Sequence, residues 1–376
     1  MQPIRVVVWG LGSMGSLMAS ILDEKEGVEI VGAADSHPEK TGRTLGELFG
    51  LKRFPDVVVT DGATAPLPEA DVALLAVSSF ISGTEGYIRE LVGSGTNVIT
   101  IAEEWTYPWR TAPETAAAID GLAKAHGVTV LGTGVNPGFV LDTLIIALTG
   151  VCSDVRSVRA RRVNDLSPFG PTVMETQGVG RTLDEFDAGR RDGSVVGHIG
   201  FVQSVSMIAS SLGIPLDEIR ETIEPIVSRT HRRTESVEVL PGRVAGCNHR
   251  AEGWSKGMPR IVLEHPQQVR PDLEGVETGD FIEIDGTPDM RLGIVPEIPG
   301  GPGAPLHRGG KPRLLRRRPG HHPGHPRRAA DGERARRRRT YQEPLPRNAE
   351  EVRDHRRRAR HRALHRRGPR QEPGDE

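Results

Sequence analysis

Residues 6–15 read Val-Val-Val-Trp-Gly-Leu-Gly-Ser-Met-Gly, and no other stretch narrows the possible folds as much. A β-branched run leads into glycines spaced G-x-G-x-x-G. In a strand–turn–helix unit this spacing puts Gly10 at a tight turn and Gly12 where backbone must approach a ligand. Gly15 then falls where the helix packs closely on its strand. Leu11, Ser13 and Met14 fill the loop between them. The helix expected over 16–23 would aim its free N–H groups and positive dipole end at a pyrophosphate. The next strand signal covers 28–34 and ends at Asp35, 20 residues after Gly15. A carboxylate there can accept hydrogen bonds from both ribose hydroxyls of a dinucleotide. Asp35 favours NAD. Ser36, His37, Lys40 and Arg43 follow closely and offer groups for the 2′-phosphate of NADP, so both cofactors stay open.

Strand and helix signals alternate from residue 1 to about 134. Strands are predicted over 4–9, 28–34, 57–60, 72–77, 98–101 and 128–131, with helices at 83–92 and 113–126. Such alternation implies β-α-β units and an α/β fold with a doubly wound parallel sheet of the Rossmann type. From 135 to 301 the pattern changes. Helices are expected over 140–148 and 199–212, each with apolar residues in helical phase, and strands over 235–239, 260–264, 281–284 and 292–295. This second region reads as an α+β substrate domain built on a mostly antiparallel or mixed sheet.

After residue 301 the composition breaks. Residues 302–376 hold 23 Lys and Arg against 9 Asp and Glu, whereas the preceding 301 residues hold 26 against 41. The segment contains no Ile, Phe, Met, Cys or Trp. Nothing in it repays the entropy of ordering, and disorder is expected. A basic tail suits nucleic acid, but Tyr341 is its only aromatic residue, which disfavours such a partner. The same composition results when GC-rich DNA is translated out of frame. The two cysteines, Cys152 and Cys247, form neither a disulfide framework nor a metal motif. The absence of a signal peptide and of an apolar run long enough for a membrane adds to the expectation of a cytoplasmic protein.

Four segments carry candidate chemistry. Residues 97–109 form a strand that ends in Glu103 and Glu104, followed by aromatics. A glutamate beyond a strand's carboxyl end can act as acid or base, or hold a substrate ammonium. Adjacent side chains diverge, so one of the pair is expected to face the reacting carbon, with Glu103 slightly preferred. Asn136 and Pro137 sit between glycines at the joint of the two regions, suited to line a cofactor's nicotinamide end. Ser78 and Ser79 end another strand and border the dinucleotide. His198 opens a helix and is a candidate for the substrate pocket. Arg159, Arg161 and Arg162 each offer a partner for a substrate carboxylate. No metal site is expected.

Together, Gly10–Gly15, Glu103-Glu104…Tyr107-Pro108, Asn136-Pro137-Gly138-Phe139…Asp142 and 197–201 resemble the 2,4-diaminopentanoate dehydrogenases and the related native amine dehydrogenases. The resemblance runs from residue 1 to about 301. It implies NAD(P)-dependent oxidative deamination of an amine or diamino acid, reversible as reductive amination, by a homodimer. It makes a glutamate of the 103–104 pair the group that positions or deprotonates the amine, and Asn136 and His198 pocket residues. The tail departs from the family's pattern. Residues 306–311 can be encoded so that a one-base shift yields Ser-Thr-Ala-Val-Val-Asn, similar to what the family carries there. Two other functions compete: a carbonyl or imine reductase without ammonia chemistry, and a non-catalytic dinucleotide-sensing protein with a nucleic-acid-binding tail.

Overall fold

The computed structural model describes residues 2–62 and 67–295. The 302–376 tail, with its expected disorder, lies outside the described residues. Six strands make the first sheet: β1 (Ile4–Trp9), β2 (Val28–Ala34), β3 (Val59–Thr60), β4 (Val72–Leu75), β5 (Asn97–Thr100) and β6 (Val130–Gly132). Their order is β3-β2-β1-β4-β5-β6, and every pair is parallel. The order reverses between β1 and β4, the crevice where ligands bind in such sheets.

Alternation along β1 explains how both faces are covered. Val6 and Val8 pack with Leu11 and Ala19 of the first helical unit and with Leu45 and Val59. Trp9, on the other face, joins Leu75, Ile88, Leu91, Val98 and Ile119. The helices involved are α1 (Ser13–Glu24), α2 (Leu45–Phe49), α3 (Glu85–Gly93) and α4 (Pro113–His126). Leu75 and Ile88 are both wholly buried, each contributing about 1.5–3 kcal/mol.

The second sheet is mixed. Its strands are β7 (Val155–Asp165), β8 (Glu218–Val227), β11 (Val244–Ser255), β12 (Met258–Gln268), β13 (Gly279–Gly286) and β14 (Met290–Ile294). They run in the order β14-β13-β7-β12-β11-β8, with β7 and β12 parallel and the other neighbours antiparallel. A separate short ladder pairs β9 (Arg232–Arg233) with β10 (Glu238–Val239). Helices α5 (Thr143–Thr149) and α8 (Phe201–Ser211) cover one face, packing Ile145, Phe201, Val205 and Ile208 on Val158, Ala160, Leu263 and Ile282. Two further helices, α6 (Pro171–Thr176) and α7 (Leu183–Asp192), precede α8.

Several sequence expectations shift. Helix α1 starts at Ser13 rather than 16, because the glycine turn feeds straight into it. The helix expected at 140–148 begins at Thr143, where Asp142 caps its N-terminus. The strand expected at 235–239 shrinks to Glu238–Val239. Strands β7, β8 and β11 were not expected at all. In β7 and β8 the outward faces are charged, and in β11 the inward face carries small and polar residues.

Candidate active site

The glycine loop behaves as its spacing requires. Gly10 has φ +89°, and a Cβ there would lie 2.5 Å from the Ala76 carbonyl oxygen. A Cβ on Gly15 would lie 1.7 Å from the Gly10 oxygen, so only glycine lets α1 sit this close. Around Gly12 nothing stands within 4 Å of a Cβ, leaving the start of α1 open to an anionic ligand. Met14, Val77 and Phe80 are exposed apolar side chains in the segments beyond β1 and β4. Asp35 is buried and accepts from the Leu11 N–H at 2.7 Å, the His37 N–H at 2.8 Å and Lys40 Nζ at 2.9 Å. Burial alone would raise its pKa, but the bonds from Lys40, His37 and Leu11 outweigh that and hold it below the usual carboxylate value. These features fit a dinucleotide. Ser36 is exposed beside Asp35. The Ser78 hydroxyl instead accepts from the Phe80 N–H, and the Ser79 carbonyl accepts from the Glu104 N–H.

Beyond β5 the chain makes a 3-10 turn over Glu103–Thr106. Trp105, buried within it, donates through Nε1 to the Thr84 hydroxyl at 2.7 Å and anchors the turn. With three residues per turn, neighbouring side chains point about 120° apart. The two glutamates therefore part. Glu104 lines a cavity of about 530 Å³ together with Thr111, His198, Gln203, Glu221 and His249. Its Oε2 accepts from the Ile81 N–H at 2.7 Å. Glu103 is not among the cavity's lining residues. The phase of the turn thus puts Glu104, rather than the slightly preferred Glu103, on the cavity wall.

Asn136 and Pro137 are joined by a cis peptide bond. Both polar atoms of the Asn136 side chain are buried and without a hydrogen-bond partner. Pro137 packs on Gly200, where a Cβ would lie 2.6 Å from its Cγ. Asp142, wholly buried, accepts from the Gly138 N–H at 2.7 Å and the Ser204 hydroxyl at 2.9 Å. That carboxylate fastens the Asn136 loop to α8, and so to the turn that carries His198.

The comparisons with known proteins agree with this architecture. A 2,4-diaminopentanoate dehydrogenase of Acetoanaerobium sticklandii is 41% identical over 327 residues, covering 86% of this chain and 92% of the relative. The chain belongs to the 2,4-diaminopentanoate dehydrogenase family. The model of that family's C-terminal domain matches residues 139–320. An amine dehydrogenase of Streptomyces virginiae is 28% identical over 306 residues, 77% of this chain and 84% of the relative. Among solved structures, the amine dehydrogenase of Mycobacterium smegmatis superposes with a TM-score of 0.64 at 31% identity, covering 77% of this chain and 86% of that one. This member of the family is therefore an NAD(P)-dependent oxidoreductase of the Rossmann class.

In this 2,4-diaminopentanoate dehydrogenase relative, the second sheet's inner face changes character at one row. Two rows are apolar: Ile282–Ala160–Leu263–Ala251 and Ile284–Val158–Ile261–Gly253. The next row holds Asp280 opposite Arg162 and His249 opposite His265. His265 follows the pair Glu264–Arg161, which aligns it with Arg162. The His198 ring meets His265 edge-on, with centroids 4.9 Å apart. Burial, then the fields of His249 and Arg162, push His198 down to about 3. Burial likewise holds His265 well below its ordinary value. Both imidazoles are neutral at physiological pH. Arg162 Nη1, His198 Nε2 and both His265 nitrogens are buried and lack hydrogen-bond partners. His249 Nδ1 accepts from the His198 N–H at 2.9 Å, with Glu221 Oε1 3.4 Å from its Nε2.

The same row separates the three arginines. Arg159 and Arg161 are exposed, the latter over the Phe281 ring, while Arg162 points inward. His249, His265 and Asp280 escaped sequence reasoning, because only strand pairing brings them beside Arg162. Among the described residues no cluster of His, Cys, Asp or Glu suits a metal ion.

Proposed function

We propose that this protein oxidatively deaminates a diamino acid of the 2,4-diaminopentanoate kind to the ketone and ammonia, with NAD or NADP as hydride acceptor. The observation that carries this reading is Arg162, which pairs only loosely with Asp280 at 3.6 Å, keeps a buried Nη1 without a hydrogen bond, and shares a sheet row with His249, which lines the same cavity as Glu104. A buried donor without a partner costs about 1–3 kcal/mol, more when charged, which a substrate carboxylate would relieve. His198 links the two groups. It lines the cavity with Glu104 and lies in the field of Arg162.

In this reading Gly10, Leu11, Gly12, Ser13, Met14 and Gly15 receive the pyrophosphate, and Asp35 receives the ribose, with Ser36, Ser78 and Ser79 at the margin. When bound, the nicotinamide accepts a hydride from the amine-bearing carbon of the substrate. Glu104 first takes a proton from the substrate ammonium, because only the neutral amine has a lone pair to support hydride departure. The Ile81 N–H holds one carboxylate oxygen and leaves the other for this transfer. Loss of hydride leaves an iminium on the substrate. Glu104 then releases the ammonium proton to solvent and takes a proton from the water that adds to the iminium carbon. It passes this proton to the carbinolamine nitrogen, which departs as ammonia while the hydroxyl gives up its proton to leave the ketone. Neutral His198 and the Asn136 amide orient the substrate by hydrogen bonds. Glu103 takes no direct part.

The same reading has residues 1–134 as the cofactor domain and 135–301 as the substrate domain of a cytoplasmic homodimer. Among the described residues no helix is long and apolar enough to cross a membrane. The test is an assay with 2,4-diaminopentanoate that follows cofactor reduction and ammonia together. One ammonia per reduced cofactor is expected. Reduction of carbonyl compounds with no reaction of any amine would overturn the reading.

A further inference from the structure

One apolar row of the second sheet ends in a charged residue that packing does not require. Glu221 lies on the edge strand β8 opposite Ala251, and so closes the row Ile282–Ala160–Leu263–Ala251. Successive side chains of a strand alternate between faces. Glu221 therefore shares its face with Ile219 and Ile223, which pack on apolar clusters. Arg220 turns the other way and lies over the Trp254 ring. That outer face would have kept a carboxylate solvated. Glu221 instead lines the cavity that Glu104 lines, with its side chain 38% exposed.

The neighbours of this carboxylate fix it without neutralising it. His249 Nδ1 accepts from the His198 N–H at 2.9 Å. Gly197 permits that approach, because a Cβ there would lie 2.9 Å from the same nitrogen. With Nδ1 accepting, the ring proton sits on Nε2, 3.4 Å from Glu221 Oε1. His249 is buried, and its Nε2 has no hydrogen-bond partner. Among the described residues no Lys or Arg pairs with Glu221. Arg190, also in the cavity wall, is engaged by Asp187 at 3.2 Å and by the Ile223 carbonyl at 3.2 Å. The cavity thus presents a second carboxylate whose countercharge the protein does not supply.

A diamino acid carries two ammonium groups and one carboxylate. Glu104 handles the amine that is oxidised, and Arg162 offers donors to the carboxylate. We propose that Glu221 binds the second, unreacting ammonium and thereby sets a preference for diamino over mono-amino substrates. His249 is its positioning residue: Nε2–H holds one carboxylate oxygen and leaves the other for the substrate. This inference rests on the diamino acid reading of the function given above.

Dead-end complexes test it without turnover, because a chain already holding reduced cofactor cannot accept a hydride. The full chain, saturated with NADH or NADPH, is titrated calorimetrically with 2,4-diaminopentanoate, 2-aminopentanoate and 4-aminopentanoate. The unaltered protein is expected to bind the diamino acid at least about tenfold more tightly than either mono-amino acid. Glu221→Gln keeps the size of the side chain. It should weaken the diamino acid about tenfold more than the mono-amino acids, the loss of one charge-assisted contact, with the melting temperature unchanged. Glu221→Asp should recover part of that difference. Equal weakening of all three ligands by Glu221→Gln, or undiminished binding of the diamino acid, would overturn the inference while leaving the diamino acid reading intact. If the unaltered chain binds no diamino acid, that reading itself fails and the inference falls with it.

Discussion

Arg162 faces Asp280 directly across β7 and β13, yet the two approach only to 3.6 Å, and neither Nη1 nor Oδ1 is hydrogen-bonded. Burial raises the pKa of Asp280, with Arg162 opposing in part. The pair is thus a loose one, and the guanidinium keeps donors in reserve.

If those donors serve a substrate carboxylate, their loss is selective. Arg162→Met should lower kcat/KM for a diamino acid by about 100-fold, from the cost of leaving a charged partner unpaired. The same diamine without its carboxylate should lose much less. Steady-state kinetics on the two substrates measures the difference. Equal losses on both would make Arg162 a structural residue.

The buried imidazoles predict a pH dependence of stability. His198, held at about 3, and His265, well below 6.5, stay neutral in the folded chain. In the unfolded chain both titrate near 6.5. Above that pH neither state binds these protons, and they contribute no dependence. Below it the unfolded state binds more, so stability falls as pH drops from about 6.5 toward 3. The slope reaches about 1.4 kcal/mol per pH unit for each histidine. Urea midpoints at pH 7 and pH 5 should differ accordingly, and His265→Phe should flatten the fall. A His265→Phe protein with the full slope would contradict the assignment.

Two glycine substitutions separate folding from ligand binding. Gly15→Ala forces a Cβ to 1.7 Å from the Gly10 oxygen and should destabilise the protein by several kcal/mol, about the cost of severe overpacking. Gly12→Ala meets no protein atom within 4 Å. It should melt like the unaltered chain yet bind ADP-ribose at least about tenfold more weakly. Thermal melts and calorimetry on both variants check the pair. Unimpaired ligand binding by Gly12→Ala would place the pyrophosphate elsewhere.

The first sheet was legible because its information is local. Apolar runs, the glycine spacing and Asp35 lie within about 35 residues, and each strand of a buried parallel sheet reads as an apolar stretch. The second sheet was half hidden. Strand β7 reads Val-Arg-Ser-Val-Arg-Ala-Arg-Arg-Val-Asn-Asp, with arginines on its solvent side and one arginine inward. Strand β11 buries Cys247, His249, Ala251 and Gly253, which give no apolar alternation. The site followed the same division. Asn136 and His198 stand out as motif residues, whereas Arg162, His249, His265 and Asp280 meet only through strand register. Which of Glu103 and Glu104 lines the cavity depends on the phase of one 3-10 turn, which composition does not encode.

The most direct measurement compares amine oxidation by Glu104→Gln and Glu103→Gln, with ammonia release and melting recorded for both. Glutamine keeps the size of the side chain and removes the base. Glu104→Gln should retain the fold and lose about 100-fold or more in kcat, the usual contribution of a general base. Glu103→Gln should stay within about threefold of the unaltered rate, as expected of a side chain outside the cavity. A folded Glu104→Gln protein that deaminates at the normal rate, or a greater loss in Glu103→Gln, would contradict Glu104 as the group that handles the amine proton.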